Sequence, residues 1–535
     1  MLATVLSGVV VGVDCVLVRV EVSVTSGLPS LSVVGLPQSA VREGKDRVRA
    51  ALHNAGYSLP PRRITVNLSP ADVKKEGSGF DLPLALGLLA GSGHLSATAI
   101  EGHAFLGELG LNGELRPVRG TLPVAAACRR SGIGSLVVPN ANAAEAAAGG
   151  GGLEVIGAET LAEVVGHLQG SARLASVQVG VDELLRGDPP DGADLAEVRG
   201  HRGVKRALEV AAAGGHNLLL RGPPGSGKTM LARRLPGILP PLTHQDALEA
   251  TTIHSVAGLL PSGQGLLHHR PFRTPHHTVS AAGLVGGGSP PKPGEVSLAH
   301  HGVLFLDELP EFSRSVLETL RQPLEDGWMS LVRARYRVRF PARFTFVASM
   351  NPCPCGHLGD PRRPCTCDPS QVNRYRSRIS GPLLDRIDLH VEVPVVRYRE
   401  LMDRPAGESS SDVRGRVTRA RTVQRERWCT DRNQDSASGT DRIGRGGAVG
   451  TAPDRATTRT EAAYWNAALP PAGIERWCRP DRASARLLQD AADRLGLSPR
   501  AIHRVLKVAR TIADLEGSEG IGEVHLAEAV QYRGG

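Results

Sequence analysis

Long apolar runs are missing from this chain of 535 residues. The nearest approach, Leu82–Ile100, is uncharged but holds Pro83, three glycines, two serines and His94. That composition fits a buried helix and loop better than a bilayer span, so no membrane partner is expected. Met1–Val13 is apolar, yet it lacks a basic start and a small-residue cleavage site and reads as the first strands of a domain. Cysteine is scarce as well. Eight in a chain of this length make no disulfide scaffold, which points to a reducing, cytoplasmic setting. Arginine far outnumbers lysine, and the net charge is +9. A basic balance is compatible with nucleic acid or acidic lipid and chooses neither. The length allows roughly three or four domains.

What the chain does contain centres on Leu218–Met230. A short apolar run leads into Gly222-Pro223-Pro224-Gly225-Ser226-Gly227-Lys228-Thr229 and then into a helical pattern through Leu231, Ala232 and Leu235. This strand, glycine loop and helix keep the spacing of a phosphate-binding loop. Glycines let backbone N–H groups wrap a polyphosphate. Lys228 is expected to reach the outer phosphates and Thr229 to hold Mg²⁺, which makes ATP the expected nucleotide.

Val303–Leu306 is an apolar run ending in Asp307 and Glu308, 79 residues beyond Lys228. On a neighbouring parallel strand, Asp307 is expected to serve Mg²⁺ and Glu308 to polarise the attacking water. Phe344–Met350 reads as a further strand ending at Asn351, placed to hold that water or simply to open the turn before Pro352. In Leu383-Leu-Asp-Arg386-Ile-Asp388, Arg386 can reach a neighbouring subunit's γ-phosphate in a ring, or pair internally with Asp385 or Asp388.

Before this core, Val9–Val11, Val16–Val24, Leu31–Val34, Ile64–Leu68 and Phe105–Leu109 read as strands, and Val41–Asn54, Leu82–Leu89 and Val124–Arg130 as helices. They make an α/β unit over 1–170, followed by a polar linker at 171–192 and the ATPase core at 193–397. Within 398–463, Val413–Arg427 reads as a charged helix and Asp431–Thr460 as a disordered insert. Ala483–Leu495, Pro499–Glu516 and Val524–Tyr532 have helical periodicity, with Ser498 a candidate N-cap, and make a small helical lid at 464–535.

Two further clusters stand out. Arg333, Arg335, Arg337 and Arg339 alternate with Ala334, Tyr336, Val338 and Phe340, so all four guanidinium groups are expected on one strand face. Such a row suits DNA phosphates without reading sequence, or is an ordinary solvated face. Cys353-Pro-Cys355 and Cys365-Thr-Cys367 place four thiols in one loop. They could close a structural Zn²⁺ site, although C-x-C is tighter than the usual spacing, and a reduced, metal-free loop is the alternative.

Taken in order, the P-loop, the acidic pair, the Asn strand and Leu-Leu-Asp-Arg resemble AAA+ ATPases of the branch holding magnesium-chelatase ATPase subunits and MCM helicases. The N-terminal unit resembles the proteolytic domain of Lon-type proteases at Lys74–Asp81 and Gly107–Gly120. The positions matching that family's serine and lysine are Gly79 and Leu122, and Ser78 is one place off, so protease activity is not expected. With Phe272–His277, Leu284–Gly288, Ser297–Gly302, Asn351–Gly356 and Arg376–Pro382, almost the whole chain is similar to the YifB/ComM family of magnesium-chelatase-like ATPases. The resemblance implies a homo-oligomeric ring, a hexamer, acting on single-stranded or branched DNA. It places Arg333 at a channel-facing hairpin tip and makes Arg500 the lid arginine, a solvent-facing helix residue being the alternative. The other function class is a chelatase-type or protein-remodelling ATPase that does not bind DNA.

Overall fold

The computed structural model describes residues 2–180, 184–185, 193–333, 336–360, 363–396, 407–437 and 464–533. Its first unit follows from dense β-branched sequence. β1 (Leu2–Val11) and β2 (Asp14–Thr25) form a long antiparallel hairpin, paired from Leu2↔Ser23 to Val11↔Asp14. Its tight turn needs Gly12, whose φ is 71°. With β3 (Ser30–Val34), β4 (Arg63–Ser69), β5 (His103–Phe105), β8 (Ser135–Pro139) and β9 (Glu154–Ala158) they build a seven-stranded mixed sheet ordered β3-β4-β2-β1-β5-β8-β9. The stretch Phe105–Leu109, expected as one strand, is divided. β5 ends at Phe105, and β6 (Glu108–Leu109) turns away to pair with β7 (Leu115–Arg116). The cause is Gly107, whose N–H leaves the sheet to bond the Gly79 carbonyl at 3.0 Å. Every residue of the helix Asp81–Gly91 is buried, which explains an apolar run too short for a membrane.

The second unit is a five-stranded parallel sheet ordered β11-β12-β15-β10-β16, built from β10 (Leu218–Arg221), β11 (Phe272–Arg273), β12 (Val303–Leu306), β15 (Thr345–Met350) and β16 (Leu389–Glu392). β12 and β15 are buried along their whole length, as strands covered on both faces must be, and so they read as unbroken apolar runs. Between β12 and β15 the chain makes a separate hairpin, β13 (Trp328–Arg333) and β14 (Tyr336–Pro341). The helix Arg202–Gly214 leads into β10 and ends at Gly215 in the left-handed region, where a Cβ would strike the Trp465 ring at 2.2 Å.

The helix Ser410–Ala437 lies against Arg202–Gly214, with Arg421 donating to the Ala212 carbonyl at 2.6 Å and Gln424 to Ala213 at 3.2 Å. It extends past the expected charged helix through residues 431–437, which composition assigned to the insert. Residues 438–463 lie outside the described residues. Where the chain resumes, Tyr464 packs edge-on against Trp428 (centroids 6.2 Å apart), and Trp477 lies 5.6 Å from the same indole. The lid helices Arg482–Leu495, Pro499–Leu515 and Glu523–Gln531 follow, and Ser498 caps the second as expected, accepting from the Ala501 N–H at 3.2 Å. No helix among the described residues is long and apolar enough to cross a membrane.

Asp388 joins lid to core. Its buried carboxylate takes Arg504 of the lid, the Asn217 N–H at 3.2 Å and His216 Nδ1 at 3.3 Å. Burial alone would raise its pKa, but Arg504 and His216 outweigh that and hold the carboxyl below the usual range. A carboxyl held low contributes stability above its unfolded pKa of about 4, lost as pH falls through the lower folded value. Asp388→Asn should therefore lower the thermal midpoint at neutral pH and flatten its decline in acid. A thermal-melt series from pH 7 to about pH 3 checks both effects.

Candidate nucleotide site

The C-terminal ends of three parallel strands stand level. β10 pairs Leu220↔Ser349 and Arg221↔Met350, while β12 pairs Leu306↔Ala348. The P-loop, Asp307-Glu308 and Asn351 therefore emerge together at one edge of the sheet, where a ligand binds in open α/β folds.

The curl of the P-loop is set by its glycines. Gly225 and Gly227 have φ of 73° and 85°, and a Cβ on Gly222 would lie 2.2 Å from the Val393 carbonyl oxygen. Inside this curl, Lys228 Nζ donates to the carbonyls of Gly222 (2.7 Å) and Pro223 (3.0 Å) and to Asn351 Oδ1 (3.1 Å). Burial lowers the Lys228 pKa against the opposing pull of Asp307 and Glu308. The buried Ser226 Oγ has no protein partner. A hydroxyl without a partner beside a buried ammonium fits a phosphate oxygen.

Thr229 Oγ1 donates to Asp307 Oδ2 at 2.7 Å. This threonine–carboxylate pair beside a phosphate loop is the donor set that suits Mg²⁺. Ser349 was not singled out in the sequence, yet it organises the acidic pair. Its hydroxyl donates to Asp307 Oδ1 and accepts the Glu308 N–H at 3.1 Å. Glu308 is exposed and adopts φ 55°, an unfavourable conformation for a glutamate that turns its side chain off the strand line. The signal for Ser349 was a hydroxyl inside an otherwise apolar strand.

Arg386 and Arg500 lie elsewhere. Both line a cleft of about 270 Å³ with His503, Arg504 and Lys507, and no residue of the P-loop, the acidic pair or Asn351 lines it. Arg386 pairs with Glu325, not with Asp385 or Asp388, because Asp388 is already taken by Arg504 and His216. Arg500 is exposed at the start of its helix. The structure thus brings Lys228, Thr229, Asp307, Glu308 and Asn351 together and sets the two arginines apart from them.

The arginine row is not one strand face. Arg333 ends β13 opposite Tyr336, Arg337 and Arg339 lie on β14, and Arg335 is outside the described residues. The register puts Arg337 and Arg339 on one exposed face with Val332 and Ser330, and Arg333 on the other, at the tip. Alternation ran straight through a turn and so concealed it. The Arg339 guanidinium lies 4.4 Å above the Trp328 ring.

The four cysteines converge. Their Sγ atoms lie within 4.8 Å of one another, and the pairs Cys353–Cys355, Cys353–Cys365 and Cys355–Cys365 are 3.4–3.6 Å apart. Backbone amides of His357 and Thr366 bring the Cys355 thiol down to about 5. Four convergent sulfurs with amide donors around them fit tetrahedral Zn²⁺. The loop also abuts the P-loop, because a Cβ on Gly356 would lie 2.6 Å from Pro224 Cδ. Glu249, His300 and His301 form a second convergent group. There His300 Nδ1 accepts the Arg343 N–H at 2.9 Å, which assigns its proton to Nε2, directed at Glu249 at 3.2 Å. Burial, then the adjacent His301, push His300 down to about 3, so its ring stays neutral.

At the positions matching a Lon-type dyad, a Cβ on Gly79 would meet Leu106 at 2.9 Å, and Leu122 is buried against Ala148 and Leu266. Ser78 donates to Glu108, while Lys75 is buried and donates to the Pro70 carbonyl.

Family models described as "Magnesium chelatase, subunit ChlI", "Subunit ChlI of Mg-chelatase" and "Magnesium chelatase, subunit ChlI C-terminal" match residues 194–401, 20–142 and 446–533. The chain is 44% identical to Competence protein ComM of Haemophilus influenzae over 99% of its own length and 97% of that protein. It is 42% identical to YifB of Escherichia coli, over 98% and 95%. Magnesium-chelatase subunit ChlI of Synechocystis is 27% identical over 21% of this chain and 25% of that one.

Substitution separates the roles. Lys228→Ala should abolish binding of a fluorescent ATP analogue, whereas Glu308→Gln should bind it normally and lose hydrolysis by about a hundredfold or more, as expected for a lost general base. Equilibrium binding and phosphate release measure the two effects.

Proposed function

Since the chain belongs to the YifB/ComM family of magnesium-chelatase-like ATPases, we propose that it is an ATP-hydrolysing, ring-forming motor that acts on DNA. The observation that carries the DNA half is the β13–β14 hairpin, inserted between β12 and β15, with Arg337 and Arg339 exposed together on one face. Paired guanidinium groups on a short hairpin neutralise backbone phosphates without reading bases. Arg333 at the tip adds a third such contact. The family name ComM carries with competence supports the same direction.

In this reading the P-loop amides and Lys228 hold the ATP phosphates, and Thr229 and Asp307 hold Mg²⁺. Held by these two residues, Mg²⁺ would supply positive charge to offset the charge that develops on the phosphates. Ser349 keeps Asp307 in position and fixes the backbone of Glu308. Glu308 takes the proton of the attacking water, and Asn351, already bonded to Lys228, orients that water. Arg386 and Arg500 line a cleft that no P-loop residue lines; in a closed ring, a hexamer, Arg386 serves the site of the next subunit and Arg500 acts as the lid arginine. The four cysteines hold a structural Zn²⁺ that stiffens the loop lying on Pro224.

A chelatase-type or protein-remodelling ATPase is the other reading, favoured by the three chelatase-subunit models along the chain. ATPase assays with and without single-stranded and branched DNA decide between them: DNA stimulation supports the motor, and indifference to every DNA structure sinks it.

Replacing Arg337 and Arg339 with alanine should weaken binding of unrelated DNA sequences alike and reduce the log–log salt slope by about one unit per lost contact. Fluorescence anisotropy from low to moderate salt measures the slope. The cysteine site makes a separate prediction. Metal analysis should find one zinc per chain, and Cys365→Ser should lose it and raise the KM for ATP, because the loop that braces Pro224 loosens.

A further inference from the structure

A two-stranded hairpin is marginal in water by itself and needs its apolar face covered. On β13–β14 that face is Leu331, Val338 and Phe340, all buried, with Met329 beside them. Among the described residues, its cover includes Val11 and Val13 of the N-terminal unit. They flank Gly12 at the β1–β2 turn, where a Cβ would lie 2.4 Å from Val338 Cγ1. The turn thus approaches the hairpin as closely as a bare backbone permits, at the one residue whose φ of 71° already calls for glycine.

The two faces of the hairpin are therefore committed differently. Leu331 and Val338 are cross-strand partners turned toward the β1–β2 turn, while Val332↔Arg337 and Ser330↔Arg339 fall on the opposite face. Val332 is 66% exposed there, and both arginines are exposed. Covering one face decides which other face is left open.

We propose that the β1–β2 turn, through Val11, Gly12 and Val13, is the support that holds the hairpin and directs Arg337 and Arg339 at a nucleic-acid phosphate backbone, a role that rests on the DNA reading above. The N-terminal unit is then a positioning element for the motor's nucleic-acid contact. A second interface keeps the same two units in register. The helix His244–Ala257 meets Thr121–Arg130, Ser255 donates to the buried Glu145, and the Gly120 N–H bonds the Ser255 carbonyl at 3.3 Å. A support anchored at two separated points resists rotation, which a single contact would not.

The full-length protein tests this with Val11→Ser/Val13→Ser and, from the hairpin side, Val338→Ala. Hydrogen–deuterium exchange should rise in β13 and β14 in both variants without DNA present. DNA affinity should fall about tenfold or more, as for loss of two or more phosphate contacts, while basal ATPase stays at the unsubstituted level. Arg337→Ala/Arg339→Ala is measured in parallel. If that variant loses DNA binding while the valine variants keep normal exchange and affinity, the hairpin stands without the turn and the proposal is overturned. If the arginine variant binds DNA normally, the DNA reading fails and takes the directing role with it. Faster exchange in the valine variants would then mark a purely structural contact.

Discussion

The level ending of three parallel strands is the constraint on which the nucleotide site depends. β12, β15 and β10 are each only four to six residues long and covered on both faces, so polar groups are admitted mainly where the strands stop. Arg221, Asp307 and Asn351 stand at those stops, and the hydrogen-bonded register holds them side by side. A slip of one residue in any pair would turn each side chain to the other face of the sheet. Ser349 is the informative exception. It is fully buried inside β15 and is satisfied by the neighbouring strand's carboxylate and amide, so the register itself is bolted by a hydroxyl.

That arrangement explains what could be read in advance. The P-loop, the acidic pair and Asn351 are local patterns, each marked by an apolar run that stops at a polar residue, and the fold supplies only their adjacency. The lid helices were legible for the same reason, through periodicity and the Ser498 cap. Information carried by distant pairs was not. The partner of Arg386 is Glu325, 61 residues away, while two nearer carboxylates stood in plain view. The turn in Arg333–Phe340 was hidden because the arginines alternate in the sequence straight through it, although the register puts Arg333 on the opposite face from Arg337 and Arg339.

In the N-terminal unit a Cβ on Gly79 would meet Leu106 Cδ1 at 2.9 Å, and Leu122 lies in an apolar cluster that includes Leu266 of the ATPase unit. Leu122 is thus part of the interface between the two units. Glu145 follows the same logic. Burial raises its pKa, yet it accepts from the Leu122 N–H and Asn142 of its own unit and from Ser255 across the interface, so a buried acid is accommodated partly by a bond between the units.

The packing of Tyr464 and Trp477 around Trp428 has a consequence for how this chain tolerates change. One indole joins the helix Ser410–Ala437 to the segment that opens the lid, so a smaller side chain at position 428 would loosen both neighbours at once.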